Sequence, residues 1–237
     1  MRLRKMEDEE MNSPNEDIGI LEARELTYQI LRSAFNNPPS EDLLKATVQE
    51  KLFDSFPLEV NTEGFRQGLN QLRLWFSQVS EKLLENVVTE LKDDYLRLFL
   101  GPNQLLAPPW ESVYLTEERL TFDQITLDVR AFYRRHGLEF CLLNKEPDDH
   151  FGIELEFMAG LVSRQVYNLE NGQYEEAHFL AQEQLAFLRD HLSRWTPPFT
   201  LSVIENAHTD YYQGIARLAR DFIAWDYELL GRLENGN

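Results

Sequence analysis

Glutamate and histidine recur at metal-ligand spacing in Glu175-x-x-His178 and Glu205-x-x-His208. On two helices of a bundle such pairs hold a di-metal carboxylate centre, provided that all four side chains point inward. The helical pattern after Tyr174 places Ala177, Ala181, Leu185, Leu188, Leu192 and Trp195 on one face and Glu175 and His178 on another, so the spacing alone is a weak signal. Asp148, Asp149, His150 and Glu154 form a second group, with His150 and Glu154 on one helix side. It can serve as a helix-start cap, a partial metal site or a surface for a ligand, and the acids would attract an arginine. A cap is favoured over a metal, because ligands from a single turn rarely make a site. No Gly-x-Ser-x-Gly, phosphate loop or dinucleotide fingerprint is present, so neither nucleophilic catalysis nor a nucleotide cofactor is indicated.

These residues flank an apolar loop. The run Tyr95-Leu-Arg-Leu-Phe-Leu-Gly-Pro102 ends a helix, and Gly101 is expected in the left-handed stop conformation. The loop then presents Leu105, Leu106 and Trp110, stiffened by Pro108 and Pro109. Trp110 could plug the core or serve as a platform for an amphipathic peptide, and both readings stand. A long helix is expected from Pro147 to Leu169, with Asp148 and Asp149 in its first turn at the positive end of the dipole. Its wide apolar face, from Phe151 through Leu155, Met158, Val162 and Val166 with Phe157 and Leu161 beside it, implies packing on more than one side.

The other elements follow from the same periodicity. Helices are expected over 18–36, from a Ser40 cap, over 62–80, 83–100 and 121–136 (ended by Gly137), over 174–195 (broken at Pro197-Pro198), and over 199–208 and 211–233. The fold class is all-α, with about nine or ten helices in a compact bundle. The 237 residues carry a net charge of −18, from 41 acids against 23 bases. That balance disfavours nucleic acid and suits a basic peptide. The single cysteine, Cys141, excludes an internal disulfide and is expected as a buried apolar residue. Residues 1–17 read as a flexible acidic end without a signal peptide, and no run spans a membrane, so a soluble cytoplasmic protein is expected.

Tyr95-x-x-Leu-Phe-x-Gly-Pro102, Pro109-x-Glu-Ser-Val-Tyr114 and Glu146-Pro-Asp-Asp-His150, in this order and spacing, resemble the signature of the TorD/DmsD-type chaperones. That resemblance implies no catalytic activity and no resident cofactor. It implies binding of the twin-arginine signal peptide and the catalytic subunit of a molybdenum-containing anaerobic reductase in the cytoplasm, until cofactor insertion is complete. Carried over, the peptide-binding positions are Trp110, Glu111, Ser112 and Tyr114 in the loop and Asp148, Asp149 and His150 at the helix start, with Tyr95 and Phe99 shaping the pocket wall. The resemblance also divides the chain into an N-terminal part (18–142), a hinge (143–147) and a C-terminal part (148–237), packed in a monomer or exchanged in a homodimer.

Overall fold

The computed structural model describes residues 14–79, 84–101, 105–116, 121, 123–141 and 146–234. Most of the N-terminal segment and positions 143–145 of the expected hinge lie outside the described residues. The helices are α1 (Pro14–Asn36), α2 (Glu41–Gln49), α3 (Glu63–Gln78), α4 (Leu84–Tyr95), α5 (Glu111–Leu115), α6 (Gln124–Arg135), α7 (Phe151–Glu170), α8 (Tyr174–Phe187), α9 (Ser193–Asn206) and α10 (Asp210–Glu234). Among the described residues there is no strand, only an isolated bridge between Trp110 and His150.

Caps set several of these boundaries. Ser40 accepts from Leu43 N, Thr62 from Phe65 N, and Asp123 from the amides of Ile125 and Thr126. Gly137, with φ of +71°, takes the left-handed stop after α6, and Leu138 N returns to Tyr133 O at 3.0 Å. Gly101 does not take that conformation. Its φ of −58° and ψ of 158° are the extended geometry that a following proline imposes. Instead, α4 loosens into a π-helical turn, Leu96–Leu100, before it stops.

Pro197 and Pro198 also behave differently from expectation. They sit inside α9, exposed, rather than breaking the chain. A π-helical turn, Leu188–Leu192, joins α8 to α9 and widens the ladder just before them. The hydroxyls of Thr196 and Thr200 bond the carbonyls of Leu192 and Thr196, each at 2.7 Å. These hydroxyls bond carbonyls one turn back and so satisfy their own polar groups within the helix.

Helix α7 packs along α1 on one side and α8 on the other, while α10 packs on α3 and α9. Phe151, Leu155, Phe157, Met158, Leu161, Val162 and Val166 are buried, as a two-sided helix requires. Rings from five elements meet above the α7 start. Phe35 contacts Phe99, Phe151 and Phe199 at centroid distances of 5.9, 4.9 and 5.5 Å. Phe99 in turn meets Tyr95 and Tyr212 at 5.1 and 5.8 Å. This cluster is a floor under the loop that carries Trp110. Cys141, expected inside, is exposed, because it lies beyond the end of α6 in a segment that runs over the surface beside Ile153 and Phe157 of α7.

Candidate functional site

The loop 105–116 and the start of α7 are joined residue by residue. Glu111 N donates to Asp149 O at 3.0 Å, and Phe151 N donates to Pro109 O at 2.8 Å, which makes the Trp110–His150 bridge. Ser112 N donates to the Asp149 carboxylate at 2.8 Å. A further bond, Ala107 N to Leu98 O at 3.0 Å, ties the loop to the end of α4. The two motifs are therefore one joint.

The start of α7 is not as expected. His150, not Pro147, caps the helix, its Nδ1 accepting from Gly152 N at 3.1 Å. Asp148 and Asp149 precede the helix and are both 0% exposed. Asp148 makes a two-pronged ion pair with Arg130, at 2.7 and 3.1 Å. Asp149 accepts from Ser112 N and from the Thr126 hydroxyl at 2.9 Å. Glu111 is also 0% exposed, and accepts from His191 Nδ1 at 2.9 and 3.2 Å. These three carboxylates are spent inside the protein, so the expected acidic rim is in fact a buried framework.

Tyr95 and Phe99 are core residues, 2% and 1% exposed, and do not form a wall open to a ligand. Tyr95 donates to Phe35 O at 3.0 Å; burial and then the negative charge of Glu146 push its phenol up to about 12. Tyr114 stacks on Trp195 with centroids 5.7 Å apart, and Ser112 is buried beside it in sequence. Trp110 is half-buried, and its indole N–H meets no partner. Leu106 in the same loop and Leu96 and Leu100 on the π-helical turn to which the loop is tied are 38%, 40% and 56% exposed, and Leu105 is half-buried. Glu146 is the exposed acid of the second motif.

The four residues of the expected di-metal centre do not converge. Glu175, His178, Glu205 and His208 are all exposed, and α9 ends at Asn206, before His208. No group of three or more potential ligands that could hold a metal occurs among the described residues. Nor is any described helix long and apolar enough to cross a membrane.

The family model described as nitrate reductase delta subunit matches residues 59–201. The chain is 32% identical over 206 residues to the Tat proofreading chaperone DmsD of Salmonella typhi, covering 86% of this chain and 90% of that one. It is 30% identical over 173 residues to the chaperone protein TorD of Photobacterium profundum, covering 73% and 74%. The chain belongs to the TorD/DmsD family of redox-enzyme maturation chaperones.

In this TorD/DmsD-family chain the sequence reading missed the groups that complete the framework: Thr126, Arg130, His191 and Trp195. Thr126 and Arg130 are one helical turn apart on α6, a signal that could have drawn notice. His191 and Trp195 are likewise one turn apart, but nothing local ties them to residues some 40 to 80 positions earlier. Trp195 Nε1 donates to Glu154 at 3.1 Å. Burial, followed by the charges of Glu111 and Asp149, holds the Glu154 acid well above its ordinary range. Burial also raises Glu111, while His191 opposes that shift. Burial pushes the His150 imidazole down to about 4, so the helix cap is a neutral ring.

Proposed function

We propose that this chain binds the twin-arginine signal peptide of a molybdenum-containing reductase, and the reductase catalytic subunit that carries it, in the cytoplasm before export. The observation that carries the reading is the rigid joint beneath an exposed apolar patch. Leu106 and the half-buried Trp110 lie on a loop pinned by three backbone–backbone bonds and by the bond from Ser112 N to the Asp149 carboxylate, and one of these ties it to the π-helical turn that carries the exposed Leu96 and Leu100. A preformed apolar face loses little entropy on binding an apolar helix or strand.

The arginines need carboxylates that are accessible. Asp148 and Asp149 act by holding the loop in place, and the exposed Glu146 supplies the local charge for a guanidinium. The net charge of −18 speeds the approach of a basic peptide. Trp110, Glu146 and the leucines thus make direct contact, and Glu111, Ser112, Tyr114, Asp148, Asp149 and His150 shape the platform. Residues 143–147 serve as the hinge between the two parts of the chain, which permits a monomer or a half-exchanged dimer.

Calorimetric titration with a leader peptide from a genomically adjacent reductase tests this. A parallel titration uses the same peptide with both arginines changed to alanine. Saturable binding of the first, weakened in the second, supports the reading. Absence of binding by either, with an intact fold, rejects leader recognition.

A further inference from the structure

Beneath the joint lies a row of ionisable side chains that pairing alone does not explain. Glu154 on α7 is 0% exposed, and one carboxyl oxygen accepts from Trp195 Nε1 at 3.1 Å. Its other oxygen, Oε1, meets no N–H or O–H donor and lies within hydrogen-bonding reach of the Glu111 carboxyl. Glu111 is the first residue of α5 and is held on its far side by His191. The row therefore runs Trp195–Glu154–Glu111–His191, through four elements, with no water-exposed member among its carboxyls.

Groups from several elements set the charge balance around Glu154. From α5 comes Glu111. The turn before α7 brings Asp148, Asp149 and the neutral His150. From α6 come Arg130 and Tyr133, and from the π-helical turn and α9 come His191 and Trp195. Arg130 is fully engaged by Asp148. That leaves Glu111, Asp149 and Glu154 facing at most one cation, His191. Two carboxylates in contact in a dry site cannot both ionise, and a proton between them turns repulsion into a hydrogen bond. His191 favours charge on Glu111, so the proton belongs to Glu154, and Trp195 accommodates its other oxygen.

We propose that Glu154 is held as the uncharged acid and donates to Glu111, making Glu154 and His191 positioning residues of a proton-dependent latch that seats α5 and its neighbour Trp110. The proposal rests on the leader-binding reading and adds regulation to the same site. With the latch protonated, α5 is drawn onto α7 and α9, and the Trp110 platform is formed. Loss of the proton places a second negative charge against Glu111, and the cheapest relief is movement of the five-residue α5 away from α7. The platform then opens and the leader is released. The sign follows from the same balance: a raised acid favours the folded latch below the ordinary glutamate range, and that advantage is lost as pH rises through its elevated value.

Three measurements on the full-length chain test the proposal. In the infrared difference spectrum of wild type minus Glu154→Gln near neutral pH, a carboxylic-acid carbonyl band is expected. Its absence means that Glu154 is ionised, and overturns the proposal. Hydrogen exchange of the Glu111 and Ser112 amides, which donate to Asp149, is the second readout. After correction for the intrinsic pH dependence, protection is expected to fall as pH rises in wild type and to stay level in Glu154→Gln. Parallel behaviour of the two proteins overturns the latch whether or not any leader binds.

The third is titration with an N-acetylated leader, which has no titrating amine of its own. Wild-type affinity is expected to fall by up to about tenfold for each pH unit above the acid's transition. Glu154→Gln, a neutral isostere that can still donate, is expected to bind within about threefold of wild type at about pH 6 and to lose the pH dependence. Glu154→Ala is expected to weaken binding by about one to two decades, because Glu111 and Trp195 lose a buried partner. Equal losses in the Gln and Ala variants, or an unchanged pH profile in the Gln variant, would show that Glu154 acts only by filling space. Failure of wild type to bind leader at any pH defeats leader recognition, while the infrared and exchange results still decide the latch.

Discussion

Arg24 and Asp226 face each other as a buried ion pair, though they stand 202 residues apart in the chain. The Arg24 guanidinium also donates to Gln184 at 2.8 Å, and Asp226 accepts from the Tyr28 hydroxyl at 2.6 Å. Gln184 continues to Gln165 at 2.8 Å. One network thus fastens α1 to α7, α8 and α10. The desolvation of two full charges offsets most of their attraction, so the pair specifies which surfaces meet more than it adds stability.

That balance makes a sharp prediction. Arg24→Met strands Asp226 without its cation and is expected to destabilise the protein by about 3–5 kcal/mol. For a chain of this size the shift in Tm is about 2–4 °C for each kcal/mol. The double variant Arg24→Met with Asp226→Leu is expected to recover much of the loss, because neither charge is then left alone. Thermal unfolding followed by circular dichroism checks both. A double variant as unstable as the sum of its singles would show that the two charges are not coupled and that a stranded partner is not the source of the loss.

A second prediction separates platform from plug at Trp110. Its ring is half-buried and touches His150 with centroids 6.3 Å apart, outside the buried core. Trp110→Ala is therefore expected to leave far-UV helicity intact and shift Tm only slightly. Leader affinity is expected to drop by about 2 kcal/mol or more, the loss of an aromatic anchor at an interface. A global loss of helix would mean that the indole supports the core instead.

Local chemistry made much of the fold legible. Ser40, Thr62 and Gly137 punctuate helices by their own hydrogen bonds or φ, and the two-sided face of α7 is periodic. The misreadings arose where distant residues decide. Asp148 and Asp149 looked like first-turn acids, but Arg130 and Thr126 draw them in before the helix begins. The expected acidic rim failed for the same reason: charge is visible in a sequence, but its partner is not. Pro197 and Pro198 looked like a break, because a π-helical turn five residues earlier leaves no clear sequence mark. The Arg24 network did leave one. Arg24 falls in the apolar stripe Leu21, Tyr28, Leu31 and Phe35 of α1, and Asp226 falls in the stripe Phe222, Ile223 and Leu230 of α10. A lone charge in each of two apolar stripes signals a buried pair.

A third prediction follows from the buried framework. Asp149→Ala removes the acceptor for Ser112 N and the Thr126 hydroxyl together. Each orphaned buried donor costs about 1–3 kcal/mol. Stability and leader affinity are expected to fall in parallel, and leaders with and without their arginines should lose affinity by the same factor. If the arginine-free leader is spared, Asp149 contacts the arginines directly.

The last prediction concerns acid. His150 caps α7 only while Nδ1 carries a lone pair for Gly152 N, and protonation would break that bond. Its imidazole is pushed down to about 4 in the folded protein, against about 6.5 when exposed. The folded state therefore prefers the neutral ring. Stability from this group is complete above about pH 6.5 and is lost as pH falls toward 4, by no more than about 3 kcal/mol, and less because water reaches part of the ring. His150→Asn keeps an acceptor at the cap and does not titrate in this range. Its unfolding midpoint in urea is expected to be flatter than that of wild type between about pH 6.5 and about pH 4.5. Above pH 7 the two proteins should differ little. An acid limb that survives unchanged in His150→Asn would assign the loss to another group and leave His150 as a cap with no role in the pH response.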